Sequence, residues 1–412
     1  MDGPVPRLGK DMNDLGMITD GALAVAGEEI LAVGDSDKVA GNTPLAEGCT
    51  VVDADGRVVT PGFIDPHTHP VFSRTREKEF EMRIQGKTYM EIARAGGGIR
   101  ASVRDLRETP KDILIQNTRK RLDIMLAHGT TTVEAKSGYG LSTESEIKQL
   151  EVIREVNESH PMDLVPTFLG AHEVPDEYRD NPDDYVDLLI NEMIPAVVKS
   201  NLAEFCDIFC EEGVFDIEQS RKIQSAAKKA GLALKFHADE LASTGGAELA
   251  AELGAVSADH IVYISDAGIK AMAKAGTAAV LLPGTTFSLA GKQYAPARKM
   301  IEAGVAVALS TDCNPGSSFT ESLSIIISLA TLQMKLTAAE CISAVTVNAA
   351  HALNRTNLIG QLTPGYLADI TLWDMEDYRE LPYHYGVNLA SRVFKRGKPV
   401  VNNSGHGNVR RQ

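Results

Sequence analysis

Through the middle of the chain, short apolar segments alternate with amphipathic stretches long enough for helices, and few folds accept that order. Eight segments read as strands: GFIDPHTH, TTTVEAKSGYG, DLVPTFLGAHE, CDIFCEEGVF, LALKFHADE, SADHIV, AAVLLPGTT and VAVALSTDCNPG. Between them, stretches such as SEIKQLEVIREVNE and EQSRKIQSAAKKAG place apolar residues at helical spacing. Strands that alternate with crossover helices form a parallel sheet covered by helices. Eight such units predict an α/β fold that closes into a (β/α)8 TIM-type barrel, here assigned to residues 61–361.

Both ends read differently. GALAVAGEEILAVGD and TVVDADGRVV suggest short strands, with hairpin chemistry at Ala54-Asp-Gly-Arg, and GQLTPGYLADITLWD and SRVFKRGKPVVNN give the same signal near the other end. A chain of 412 residues is long for one core, so residues 1–60 and 362–412 are expected to form one small, discontinuous β-sandwich domain.

Composition excludes several function classes. The net charge of -15 offers no basic footprint for nucleic acid and would repel anionic lipid. No stretch approaches the roughly 20 consecutive apolar residues that a membrane span needs. MDGPVPRLGKDMNDLG has no basic start followed by an apolar run, so a cytoplasmic protein is expected. The five cysteines are odd in number and scattered, which fits a reducing compartment. Cys206 and Cys210 would face the same side of one strand as small core residues.

Barrel enzymes place their chemistry at the C-terminal ends of the strands. Half of the ten histidines fall in or at the ends of the expected strands: His67, His69, His172, His237 and His260, with Glu134, Glu211, Glu240, Asp259 and Asp312. One polar pocket at one mouth of the barrel is the expectation. His67 and His69 alternate with Thr68, so both imidazoles project to one face and can bind one ion. With His237 and Asp312 they make three nitrogens and one carboxylate, leaving room for a water, as in catalytic sites. From the residues alone, each also has a plainer reading: Asp312 as a turn residue, His260 as a core histidine, Glu240 as a surface or supporting carboxylate and Arg76 as a solvated loop residue; the barrel position favours Asp312 as a ligand.

Strings along the chain resemble the amidohydrolase superfamily, and within it the cyclic amidases of histidine degradation. They are DPHTHPVF with Arg76 downstream, EFEMRIQGKTYMEIARAGGGI, KSGYGL, GAHEVP, KFHADE, SADH, LLPGTTF, TDCNPGSS, TVNAAHAL and PYHYGVN, spread from about Gly16 to Asn402. The resemblance implies hydrolytic ring opening of a small-molecule substrate, 4-imidazolone-5-propanoate, to N-formimidoyl-L-glutamate. It implies that His67, His69, His237 and Asp312 hold zinc or iron. It also implies that Arg76, Tyr139, His172, Glu240, Asn314, Gly316 and Ser317 meet substrate or product, with Tyr89 alongside. Asp312 would act as base, Glu240 would serve the ring nitrogen and His260 the developing oxyanion. Members with two ions carry a lysine at the end of the fourth strand, where this chain has Cys206-Asp-Ile-Phe-Cys-Glu-Glu, so one ion per chain is expected. A homodimer is usual for similar enzymes. MDGPVPRLGKDMN does not match the family's usual first strand, so the satellite is expected to lack a strand or to begin irregularly. The competing readings are another amidohydrolase that deaminates a small heterocycle, which needs no carboxylate clamp such as Arg76, and a non-catalytic metal-binding barrel, which needs neither acid nor base.

Overall fold

The structure, a computed structural model, describes residues 3–87, 91, 96–403 and 409–411. Tyr89, expected beside the substrate, lies outside the described residues. No helix among them is long and apolar enough to cross a membrane.

The strands in chain order are β1 (Gly21–Ala26), β2 (Glu29–Asp35), β3 (Thr50–Val52) and β4 (Val59–Pro61), then β5 (Phe63–Asp65), β6 (Thr130–Lys136), β7 (Asp163–Ala171), β8 (Phe205–Cys210), β9 (Ala233–Ala238), β10 (Ser257–His260), β11 (Ala278–Leu281) and β12 (Val307–Leu309), and finally β13 (Ile370–Trp373), β14 (Ala390–Lys395), β15 (Lys398–Asn402) and β16 (Val409–Arg411). Strands β5 to β12 lie side by side in chain order, every neighbouring pair parallel, which is the (β/α)8 barrel. All seven residues of β6 are buried, as expected for a strand with packed side chains on both faces. The crossover helices start where the sequence supplies caps. Ser142 accepts from the Ser145 amide ahead of the helix Thr143–Asn157, and Asp216 with Gln219 forms a capping box ahead of Ile217–Lys229. Cys206 and Cys210 are buried core residues.

The seam between β5 and β12 is made largely by one side chain. The Asp65 carboxylate accepts from the Thr311 amide at 3.0 Å, from the Thr311 hydroxyl at 2.6 Å and from the Ser310 hydroxyl. Just beyond it, the Asp312 amide donates to the His67 carbonyl at 3.1 Å and the His69 amide to the Cys313 carbonyl at 3.0 Å. The two ends of the barrel sheet are thus locked together at the level of His67, His69 and Asp312.

Outside the barrel, β4, β13, β14 and β15 form an antiparallel sheet, so the two ends of the chain share it. It is tied to the barrel by Trp373, whose indole N–H donates to the Thr60 hydroxyl at 2.8 Å and whose ring lies 4.7 Å from that of Phe63. Gly129 carries φ +91° here, and a Cβ on it would stand 3.0 Å from the Trp373 ring. The hairpin expected at Ala54-Asp-Gly-Arg is corrected. The tight turn is present, with Asp55 and Gly56 both at positive φ and the Arg57 amide donating to the Ala54 carbonyl. Its flanking strands do not pair with each other, because β4 is taken up by β13 and β3 pairs with β16. Ahead of β1, residues Gly9–Asn13 form a 3₁₀ helix that buries Met12, and the Arg7 amide donates to the Asn348 side chain.

Candidate active site

At the C-terminal mouth of the barrel, His67 and His69 follow β5, His237 sits in β9 and Asp312 follows β12. All four are buried. One Asp312 oxygen stands 3.5 Å from Nε2 of His67 and 3.5 Å from Nε2 of His69. The ring centroids of His67 and His237 are 4.4 Å apart, and those of His67 and His69 are 5.3 Å apart. Burial, reinforced by neighbouring cations, holds His67 and His69 far below the usual imidazole pKa, so both rings are neutral and carry a lone pair. His67 Nδ1 lies 2.6 Å from Asp259, while its Nε2 has no hydrogen-bond partner among the described residues. A buried imidazole nitrogen with an unused lone pair, beside a carboxylate and two further imidazoles, fits a divalent ion of zinc or iron type. The groups of buried side chains able to hold an ion include His67 with His69 and Asp312, and His67 with His237 and His260.

Backbone strain concentrates here. Asp239, His260, Ile261 and Asp312 all have positive φ, at 47°, 68°, 44° and 51°. A β-branched residue such as Ile261 in that region is a genuine outlier, and such outliers cluster where function over-determines the geometry. His260 Nδ1 stands 3.6 Å from Glu240, and its ring centroid lies 5.2 Å from that of His237. Glu240 is aimed by Glu211, whose carboxylate accepts the amides of Glu240 and Leu241 at 2.9 and 3.0 Å. Burial, then the nearby Asp312, pushes the Glu240 carboxyl up to about 8. Asp312 is pushed up to about 7 by burial, which the Thr285 hydroxyl, donating at 2.6 Å, opposes.

The remaining candidates line the same mouth. His172 stacks on His69 at 5.2 Å and donates from Nδ1 to the Gly138 carbonyl, which leaves Nε2 as its acceptor. Burial, then His237, lowers its pKa to about 3. The Tyr139 ring lies 6.0 Å from that of His69, and burial pushes its phenol well up. Arg76 gives its Nε and Nη2 to Glu79 at 3.0 and 2.7 Å and turns Nη1 towards Gly316, where a Cβ would come within 2.3 Å of it. Asn314 and its neighbours serve one another: the Gly316 and Ser317 amides both donate to Asn314 Oδ1 at 2.8 Å, and Asn314 Nδ2 donates to the Asp312 carbonyl. The turn chemistry visible in the sequence is therefore present, and it holds the Asp312 backbone in place.

Sequence reading named Glu134 and Asp259 at strand ends but missed their partners. Beneath the histidines, the fully buried Lys136 ammonium lies 2.6 Å from Asp207, 2.9 Å from Glu134 and 3.8 Å from Asp259. Lys235 reaches Glu134 at 3.3 Å and donates to the Pro66 carbonyl, one residue ahead of His67, at 2.9 Å. The alternation Glu134, Lys136 in β6 and Lys235, His237 in β9 was the available signal, since residues two apart share a strand face.

A parallel eight-stranded barrel whose mouth gathers three imidazoles and an aspartate is the layout of an amidohydrolase, and the model of the amidohydrolase family matches residues 58–404. Among solved structures, the chain is similar to an adenosine deaminase from Xanthomonas campestris with bound zinc (TM-score 0.69, 18% identity, covering 93% of this chain and 89% of that one). It is also similar to 5-methylcytosine deaminase from Klebsiella pneumoniae (TM-score 0.73, 16% identity, 93% and 94%). At these identities the likeness shows the fold. Nearer in sequence are the imidazolonepropionases of Geobacillus kaustophilus, 52% identical over 96% of this chain and 94% of the relative, and of Alkaliphilus oremlandii, 49% identical over 96% and 94%. The chain belongs to the amidohydrolase family and, within it, to the imidazolonepropionase family.

Proposed function

We propose that the protein hydrolyses the ring amide of 4-imidazolone-5-propanoate to give N-formimidoyl-L-glutamate, using one zinc or iron ion per chain held by His67, His69, His237 and Asp312. The observation that carries this reading is the unused Nε2 of the buried His67 facing Asp312, with His69 and His237 alongside. Bound there, the ion would supply Lewis-acid polarisation and make hydroxide available near neutral pH. A single ion is supported by what fills the neighbouring space. The other buried group that could take one, His67 with Glu134 and Asp259, already contains the Lys136 and Lys235 ammoniums.

Asp312 accepts the proton of the water that attacks the ring carbonyl. His260 donates to the oxyanion that develops on the carbonyl oxygen. Glu240, pushed up to about 8 and thus able to carry a proton, holds the ring N–H and returns a proton to the leaving nitrogen. Arg76 receives the propionate carboxylate through Nη1, with Tyr139 and His172 beside it. Asn314, Gly316 and Ser317 form the wall against which Arg76 rests and lie nearest the new carboxylate. The reading places a catalytic domain at residues 61–361, a satellite at 1–60 and 362–412, and a cytoplasmic homodimer.

The test is direct. Pure protein and freshly generated 4-imidazolone-5-propanoate should yield N-formimidoyl-L-glutamate, cytosine and adenosine should give no ammonia, and a chelator should abolish turnover. Ammonia release from the bases without ring opening of the imidazolone would replace this reading with a deaminase.

A further inference from the structure

We propose that Lys136 is a positioning residue: its ammonium stands where a second cation would otherwise go and fixes Asp207 and Asp259, the carboxylates that face Nδ1 of His237 and of His67. The inference rests on the metal reading above and concerns residues that the reading leaves without a task.

The geometry is specific. The Asp207 oxygen that lies 2.6 Å from Lys136 Nζ is the same oxygen that stands 3.0 Å from His237 Nδ1. The Asp259 oxygen 3.8 Å from Lys136 Nζ is the same oxygen 2.6 Å from His67 Nδ1. One ammonium therefore touches two carboxylates, of which Asp259 is hydrogen-bonded to His67 Nδ1 and Asp207 stands against His237 Nδ1. A ring whose Nδ1–H is held by a carboxylate presents the Nε2 lone pair outward, in a fixed plane and with raised basicity. Lys136, Asp207, Asp259 and Glu134 are all fully buried, on β6, β8 and β10.

Lys136 Nζ reaches Asp207 and Asp259 from one point, whereas the neighbouring Lys235 reaches Glu134. Buried ion pairs are weak contributors to stability, so a cluster of this size is better explained by what it orients.

The test uses the full chain stripped of metal and titrated with zinc against a chromophoric chelator. Lys136→Met should raise the zinc dissociation constant at neutral pH by ~10- to 100-fold, the range for loss of a carboxylate behind a ligating histidine. Ring 15N shifts of the metal-free protein should show His237 and His67 leaving their single tautomers. Asp207→Asn and Asp259→Asn are isosteric and cover the case in which Lys136→Met does not fold. Each should weaken zinc by a similar factor and move the ring signals of its own histidine only. A dissociation constant within threefold of wild type, with unmoved ring signals, in any folded variant of the three would overturn the assignment. If the wild-type chain itself binds no zinc, the metal reading fails. The ring tautomers then still decide whether Lys136, Asp207 and Asp259 orient the imidazoles.

Discussion

Gly316→Ala tests the carboxylate anchor without touching it. Gly316 is outside the left-handed region, so its backbone accepts a side chain, and the obstacle is Arg76. The new Cβ would stand 2.3 Å from Arg76 Nη1 and 3.0 Å from the guanidinium carbon, against an ordinary contact of 3.4 Å or more. One partner must yield by about 1 Å. Gly316 is the stiffer of the two, since its carbonyl accepts from Arg83 at 3.1 Å and its amide donates to Asn314 at 2.8 Å. The guanidinium therefore shifts, and it is Nη1, the nitrogen Glu79 leaves free, that moves away from the substrate. A charge-assisted hydrogen bond contributes ~1.5 to 3 kcal/mol, so losing it lowers kcat/KM by ~10- to 150-fold, mostly through KM. The assay is the initial rate of ring opening against substrate concentration, with metal content and thermal midpoint measured alongside. Arg76→Met should cause a loss of the same size, and the double variant should lose little more, because both act on one contact. A Gly316→Ala rate within twofold of wild type, or fully additive losses in the double variant, would refute the reasoning.

Three further outcomes are expected. Glu240→Gln should keep the ion and lose ~10²- to 10⁴-fold in turnover, whereas Asp312→Asn should lose both ion and turnover; Glu240→Gln within a few-fold of wild type would leave proton transfer to Asp312 and His260. Elemental analysis of fully active protein should give one metal equivalent per chain, and two tightly held ions would contradict Lys136 as the occupant of the second position. Gly129→Ala, which forces a Cβ into φ +91° and against Trp373, should destabilise the fold by ~1 to 3 kcal/mol in denaturant unfolding without changing KM; an unchanged midpoint would mean the β13 sheet is not rigidly seated on the barrel.

Elements set by local chemistry were legible in the residues. The alternation of apolar strands with amphipathic helices specified eight parallel strands, because hydrophobic period and crossover length are properties of short windows. The strand-end histidines followed from the same rule, and so did the turn at Asn314, whose hydrogen bonds span three residues. The tight turn at Ala54 was legible too, but whether its flanks pair was not, since β4 is held by β13 more than 300 residues away. The same limit hid the charges beneath the site. Lys136, Asp207 and Asp259 come from three strands, and nothing in a window around any one of them shows that they meet. The Arg76–Gly316 contact spans 240 positions in the same way. Closing the barrel brings such residues together, and burial then makes each one's charge depend on the others. The sequence by itself thus determined the barrel and the histidines at its mouth, whereas which carboxylate backs which imidazole was decided only by the tertiary structure.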